Sequence, residues 1–238
     1  MRSDRYFYSA VGAFLVLCVF YGFHLFFLHR IHSDGTPIAA SILPYVVVHG
    51  LAITVWFLLF FVQSLLIGVK KRKLHMTLGW SGVAVGLTIA CLTPIVAIHS
   101  VKLAPTVIFY GWIFSRFLMS MLMDAATFTF FAAAGFLTRK KPVIHRAMMM
   151  MACMSLLDGA FSRITLVHLV FGEIGWMGMY GPVFCFGVLL LVVHFGLTRR
   201  FDKWFALGLT GWAIAEYGAI YFAQNTIWDG IVSRIIAL

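Results

Sequence analysis

The sequence predicts an all-α integral membrane bundle of seven transmembrane helices, and three observations predict it. Hydrophobic residues make up 62% of the chain and charged residues 11%, whereas a soluble globular domain is nearer half apolar and a quarter charged. The apolar residues fall into runs long enough to cross a hydrocarbon core ~30 Å thick at ~1.5 Å per residue. The net charge of +10 is carried by short turns between those runs and forms no basic helix face. It therefore reads as topology, with the lipid bilayer as partner and no nucleic acid.

Taken in order, Arg2 and Arg5 precede an apolar run from Tyr6 to about Leu28. It is longer than a signal-peptide core and has no small-residue cleavage site, so it is expected as a retained first helix. An outer loop with His29, Arg30, His32, Asp34, Gly35 and Pro37 follows. Further helices are expected at 44–69, 75–101, 106–137, 143–172, 176–197 and 204–223. The tail at 225–238 gathers Trp228, Ile231, Val232, Ile235 and Ile236 on one side, away from Asp229 and Arg234. That pattern predicts a short interfacial C-terminal helix. With the N-terminus cytoplasmic, the inner segments hold Arg2, Arg5, Lys70, Lys71, Arg72, Lys73, Arg139, Lys140, Lys141, Arg146, Arg199, Arg200 and Lys203, against Arg30, Lys102 and Arg234 outside. The positive-inside rule then puts the N-terminus in the cytoplasm and the C-terminus outside. No long linker interrupts the spans, so residues 1–238 are expected as a single transmembrane domain.

On this topology the histidines fall into two layers. His24, His49, His99 and His168 lie on the first, second, third and fifth helices near the outer surface, and His75, His145 and His194 near the inner one. About 20 residues, or ~30 Å of helix, separate the layers. On the second helix His49, Trp56 and Gln63 stand at i, i+7 and i+14 and form a polar stripe with no reason to face lipid. On the third, Gly79, Gly82 and Gly86 make a small face that lets two backbones approach. One functional reading pairs imidazoles from facing helices as axial ligands of haem b, with two haems carrying electrons across the bilayer. Another gives the outer layer a non-haem iron, copper or zinc ion. Met148 to Met151 and Met154 run right round their helix and read as packing. Cys18, Cys91, Cys153 and Cys185 are isolated and read as buried small hydrophobes.

Ionisable groups within spans are costly and mark function by default. Arg116, Ser120, Asp124 and Thr127 share one face of the fourth helix, and Ser155, Asp158, Ser162 and Thr165 one face of the fifth, so the two polar faces should meet. Arg163 projects almost opposite Asp158 on a regular helix. Pairing is therefore expected across helices, as Arg116 with Asp158 or as Asp124 with Arg163. The charges either fix helix register, form a proton or quinone site, or clamp haem propionates through Arg116 and Arg163. Glu216, beside Tyr217, is a further buried polar candidate, as is Gln63.

His49-Gly50, Thr54, Trp56, Phe60, Gln63, the basic turn and Leu74-His75 with Leu78-Gly79 together form a recognisable pattern. A second one is His145-Arg146 with its methionine run, ending in Ser162-Arg163-Ile164. The chain resembles, in these segments, a family of uncharacterised bacterial multi-pass membrane proteins, loosely similar to b561-type haem proteins. Met76 stands where the family has arginine. The resemblance implies a histidine-bearing protein of the bacterial inner membrane.

Other classes lack their marks. A retinal Schiff base needs a lysine deep in the last span, and Lys203 only stands at its entrance. Seven-span zinc hydrolases bring a His-x-x-x-His pair on the last helix, and no histidine follows His194. No phosphate-binding, dinucleotide or serine-hydrolase motif occurs in a suitable context. The leading expectation is a haem b or related metal protein in membrane electron transfer, an oxidoreductase working with a redox partner or membrane complex. His49 and His75 lead its ligand set, with His99, His145 and His168 next and His24 and His194 behind. The competing expectation is a cofactor-free accessory subunit or small-molecule binder or transporter with structural histidines.

Overall fold

Runs of Leu, Val, Ile, Phe and Ala leave a backbone in an apolar medium with only its own groups to bond, and such runs close as helices. The computed structural model describes residues 3–32, 35–109, 112–171 and 177–237, without the side chains of residues 3–5, 109, 168 and 177. In order the elements are α1 (Ser3–Gly22), α2 (His24–His29), α3 (Leu43–Gly68), α4 (Arg72–Leu103), β1 (Ile108–Phe109), β2 (Trp112–Ile113) and α5 (Phe114–Leu137). They continue with α6 (Pro142–Met154), α7 (Asp158–Phe161), α8 (Thr165–Phe171), α9 (Met177–Thr198), α10 (Lys203–Ala223) and α11 (Thr226–Ala237). Four of these helices are long and apolar enough to cross a membrane, spanning Leu43–Gly68, Arg72–Leu103, Phe114–Leu137 and Gly178–Thr198. A bent pair, Pro142–Phe161 with Thr165–Phe171, makes a fifth if it is one span.

The ends of the elements follow from local chemistry. Pro44 and Pro142 stand in the first turns of α3 and α6, where a missing N–H costs nothing. Asp202 caps α10, its side chain accepting from the Phe205 amide at 3.2 Å. Arg30, Lys70 and Arg199 turn the chain with positive φ.

The first helix, expected to about Leu28, is divided at Phe23 into α1 and α2, and two further elements differ from expectation. The helix expected from 106 starts at Phe114, because an antiparallel β1–β2 pair comes first, with Ile108 opposite Ile113. Pro105 withholds a donor, and the β-branched Thr106-Val107-Ile108 run favours extended backbone. The helix expected over 143–172 breaks into α6, α7 and α8, with an 82° bend between the α6–α7 stretch and α8. At both breaks the bonding tightens to three-residue steps, Leu157 to Met154 and Arg163 to Ala160 among them. Ser155 and Ser162 bond carbonyls three residues back, which competes with a regular ladder.

α5 packs between α4, α6 and α10, α1 lies along α3, and α9 closes against α7 and α10. The core centres on α6, where Met150, Met151, Cys153 and Met154 are almost fully buried. Cys18 is buried too, whereas Cys91 and Cys185 are exposed on the outside of the bundle, against expectation. A satellite core of Ala97, Val101, Leu118, Ala223, Trp228 and Val232 seats α11 against α4 and α5. The glycine face of α4 receives side chains rather than another backbone, the Gln63 amide at Gly79 and rings at Gly82 and Gly86. A Cβ at Gly86 would stand 3.2 Å from the Trp56 ring, and one at Gly82 3.4 Å from Phe136.

Candidate functional site

Two of the three histidines expected in the inner layer meet. His75, in the first turn of α4, and His145, in the first turn of α6, stand with ring centroids 6.2 Å apart and ring planes at 86°. Each is oriented by a carbonyl near the C-terminal end of a neighbouring helix: His75 Nδ1 donates to Gln63 O at 3.2 Å, and His145 Nδ1 to Gly135 O at 2.8 Å. A carbonyl can only accept, so Nδ1 carries the proton, and the neutral ring keeps its lone pair at Nε2. Both rings are half-buried. His194, the third, is buried elsewhere, edge-on to Phe7 at 5.1 Å and 6.2 Å from the Tyr8 ring.

The outer-layer histidines have different surroundings. His49 is half-buried, with Nδ1 buried and without a hydrogen-bond partner. His99 is exposed, stacked on Tyr45 and bonded to Ile95 O. His24 is exposed and bonded to Tyr21 O, and the His168 side chain lies outside the described residues. Among the described residues, no group of three or more His, Cys, Asp or Glu converges to hold a metal ion.

The charged residues pair differently from expectation. Arg116 forms a fork on Asp229 of α11, Nε to Oδ1 at 2.9 Å and Nη2 to Oδ2 at 2.7 Å. It does not pair with Asp158, because α11 returns onto the start of α5. The hydrogen bond from Arg116, and then its charge, hold the Asp229 carboxyl below the usual carboxylate range. Arg163 donates to Gly159 O and lies 4.6 Å from the Phe23 ring centroid. It also acts electrostatically on Asp158.

Asp124, Asp158 and Glu216, from α5, α7 and α10, are all buried and lie within electrostatic reach of one another. Tyr180 Oη donates to Asp124 Oδ2 at 3.3 Å, and Thr127 Oγ1 to Glu216 Oε1 at 3.1 Å. Of the two polar faces expected to meet, Asp124 and Asp158 act on each other electrostatically, while Arg116 turns to α11 and Thr165 is exposed on α8. Tyr180, inside an unbroken apolar run, gave no signal.

A further polar knot lies beside His145. Asp202 is buried, accepts from Tyr8 Oη at 3.1 Å and stands 3.9 Å from Arg146 Nε. The Arg146 guanidinium lies 5.3 Å from the Tyr8 ring centroid. Asp202 was missed, although an aspartate directly before an apolar run is an N-cap signal. No protein-family model, curated protein or solved structure matches the chain.

Proposed function

We propose that this chain is a multi-pass protein of the bacterial inner membrane that holds haem b between His75 and His145 and carries electrons as part of a membrane oxidoreductase. The observation that carries the reading is the His75–His145 pair, with each Nδ1 committed to a carbonyl and each Nε2 left with its lone pair. A histidine ligand generally has its other ring nitrogen tied in this way, which fixes tautomer and direction. Haem iron needs only two protein ligands, and the pair offers two. Non-haem ions call for three or four, so the reading favours haem. Two imidazoles held on opposite sides of one ion, each through Nε2, would stand with centroids about 6 Å apart, taking ~2.0–2.1 Å for each metal–nitrogen bond. The observed 6.2 Å agrees with that separation. Haem at this position supplies one-electron chemistry, and His75 and His145 supply its orientation. Arg116, committed to Asp229, is withdrawn as a propionate clamp. Lys70–Lys73, at the turn into α4, and Arg139–Lys141, just before α6, together with Arg146 beside His145, are the cations near His75 and His145 in the chain.

The same reading gives the chain seven crossings with the N-terminus in the cytoplasm. Support comes from contacts between ends. The end of α3 and start of α4 meet through Gln63 and His75, the end of α5 and start of α6 through Gly135 and His145, and the starts of α1, α6 and α10 through Tyr8, Arg146 and Asp202. All of these ends adjoin the basic turns.

The test is an absorption spectrum of detergent-purified protein before and after dithionite, from cells supplied with haem. The expected result is a Soret band with sharp reduced α and β bands, lost in His75→Ala and in His145→Ala and retained in His194→Ala. A colourless protein would overturn the reading, as would bands that survive both single replacements.

A further inference from the structure

The carboxyl groups of Asp124, Asp158 and Glu216 lie in the bundle interior, away from the histidine pair and without a role in the haem reading. Four elements bring them together: Asp124 and Thr127 from α5, Asp158 from α7, Tyr180 from α9 and Glu216 from α10. Two of the three present the same pattern. Asp124 has Oδ2 held by Tyr180, while Oδ1 is buried without a partner. Glu216, with 0% exposure, has Oε1 held by Thr127, while Oε2 is buried without a partner. Each thus has one oxygen held and one open. An open oxygen on a buried carboxylate is costly, and in an apolar interior the cost is not relieved by bulk water.

The identity of the missing donor follows from what surrounds the site. The neighbours acting on Asp124 are Asp158, Glu216 and Tyr180, and those acting on Glu216 are Asp158 and Thr127. Arg163, the cation in reach, acts on Asp158. The described His, Cys, Asp and Glu side chains form no group of three arranged to hold a metal ion. A proton needs no such cage. Bound to one open carboxylate oxygen, it forms an O–H bond and turns an acceptor without a partner into a donor.

We infer that Asp124, Asp158 and Glu216 form an intramembrane proton-binding site that takes up and releases protons while the chain remains folded. No oxidant or reductant takes part: an O–H bond forms at a carboxylate oxygen and breaks when the proton leaves for water. Thr127 and Tyr180, whose hydroxyls already touch the two carboxyl groups, are the positioning residues. An apolar groove of about 530 Å³ between α5 and α10 reaches Thr127 and Trp212. It gives a lipid-soluble reagent a way toward Glu216.

Infrared spectroscopy of the full chain in lipid, between about pH 5 and about pH 9, tests the inference directly. The expected spectrum has a protonated-carboxyl C=O band that moves down in D2O and weakens as pH rises. Glu216→Gln and Asp124→Asn each remove part of it, whereas Asp229→Asn, on the surface, leaves it unchanged. The absence of such a band throughout the range would overturn the inference. So would a band that stays constant with pH, which would mark a fixed structural acid. Labelling with a lipid-soluble carbodiimide, which attacks protonated carboxyl groups, gives a second readout on wild-type protein and does not depend on a variant folding. Mass spectrometry should find the adduct on Glu216 or Asp124, forming at least about tenfold faster at the acid end of the range. An adduct found on Asp229 and on neither Glu216 nor Asp124 would count against the site.

Discussion

The Arg116–Asp229 fork is the one ion pair that ties α11 to a long helix through both carboxylate oxygens, among the described residues. Both side chains are over a third exposed, so salt and water weaken the pair and its contribution should be small. Its pH dependence has a definite sign. The Asp229 carboxyl is held below its ordinary value, so its contribution is fully present above about pH 4 and is lost as pH falls through the folded value. The protection of the 226–237 backbone amides, taken relative to their intrinsic exchange rates at each pH, should be constant across neutral pH and fall only in strong acid. In Asp229→Asn that protection should be lower than wild type across the neutral range and converge on it in strong acid. The sequence marked both residues as charged. It could not show that they meet, since 113 positions separate them and no local rule links a span to a tail.

At the scale of elements, the place most sensitive to added volume is the crossing of α1 and α7. A Cβ at Gly22 would lie 2.5 Å from Ala160 O, a backbone atom that cannot swing away. Gly22→Ala should therefore destabilise by about 1–3 kcal/mol. Gly135→Ala, which meets the flexible Met149 side chain at 2.6 Å, should cost less, and thermal melts in one detergent would rank them. Helix positions were largely legible, because apolar run length and basic turns are local properties: α4, α9, α10 and α11 begin and end within a few residues of expectation. What escaped were the β1–β2 pair and the breaks around α7. There Pro105, Ser155 and Ser162 offer the backbone alternatives to the ladder, and an apolar run conceals them. The inner histidine layer was half legible in the same way. Depth followed from counting residues, so His75, His145 and His194 were grouped, but direction round the bundle did not, and His194 turned toward Phe7 instead.

At the scale of the whole molecule, the proposed seven crossings make a sided prediction. Single cysteines at Lys71, Lys140 and Arg200, in a background without the native thiols, should all react with an impermeant maleimide from one side of sealed vesicles. One at Thr226 should react only from the other. A split among the first three would refute the seven-crossing arrangement. The Asp202 knot can be separated into its parts by two substitutions. Asp202→Ala loses both the cap and the charge and should cost about 0.5–2 kcal/mol through the cap alone. Asp202→Asn keeps a capping oxygen and should be milder, as a comparison of melts would show.

The hydrogen bond from Tyr8 to Asp202 joins residues 194 positions apart in the chain. At a synthesis rate of about 5–20 residues per second, the first helix waits on the order of 10–40 s before its partner exists. Through that interval the Tyr8 hydroxyl must find temporary company in water, headgroups or the insertion machinery. The knot thus acts as a late clasp, closing only after the last long hairpin has arrived. A nascent chain halted before residue 202 should hold α1 along α3 but leave the Tyr8 end of α1 unfastened.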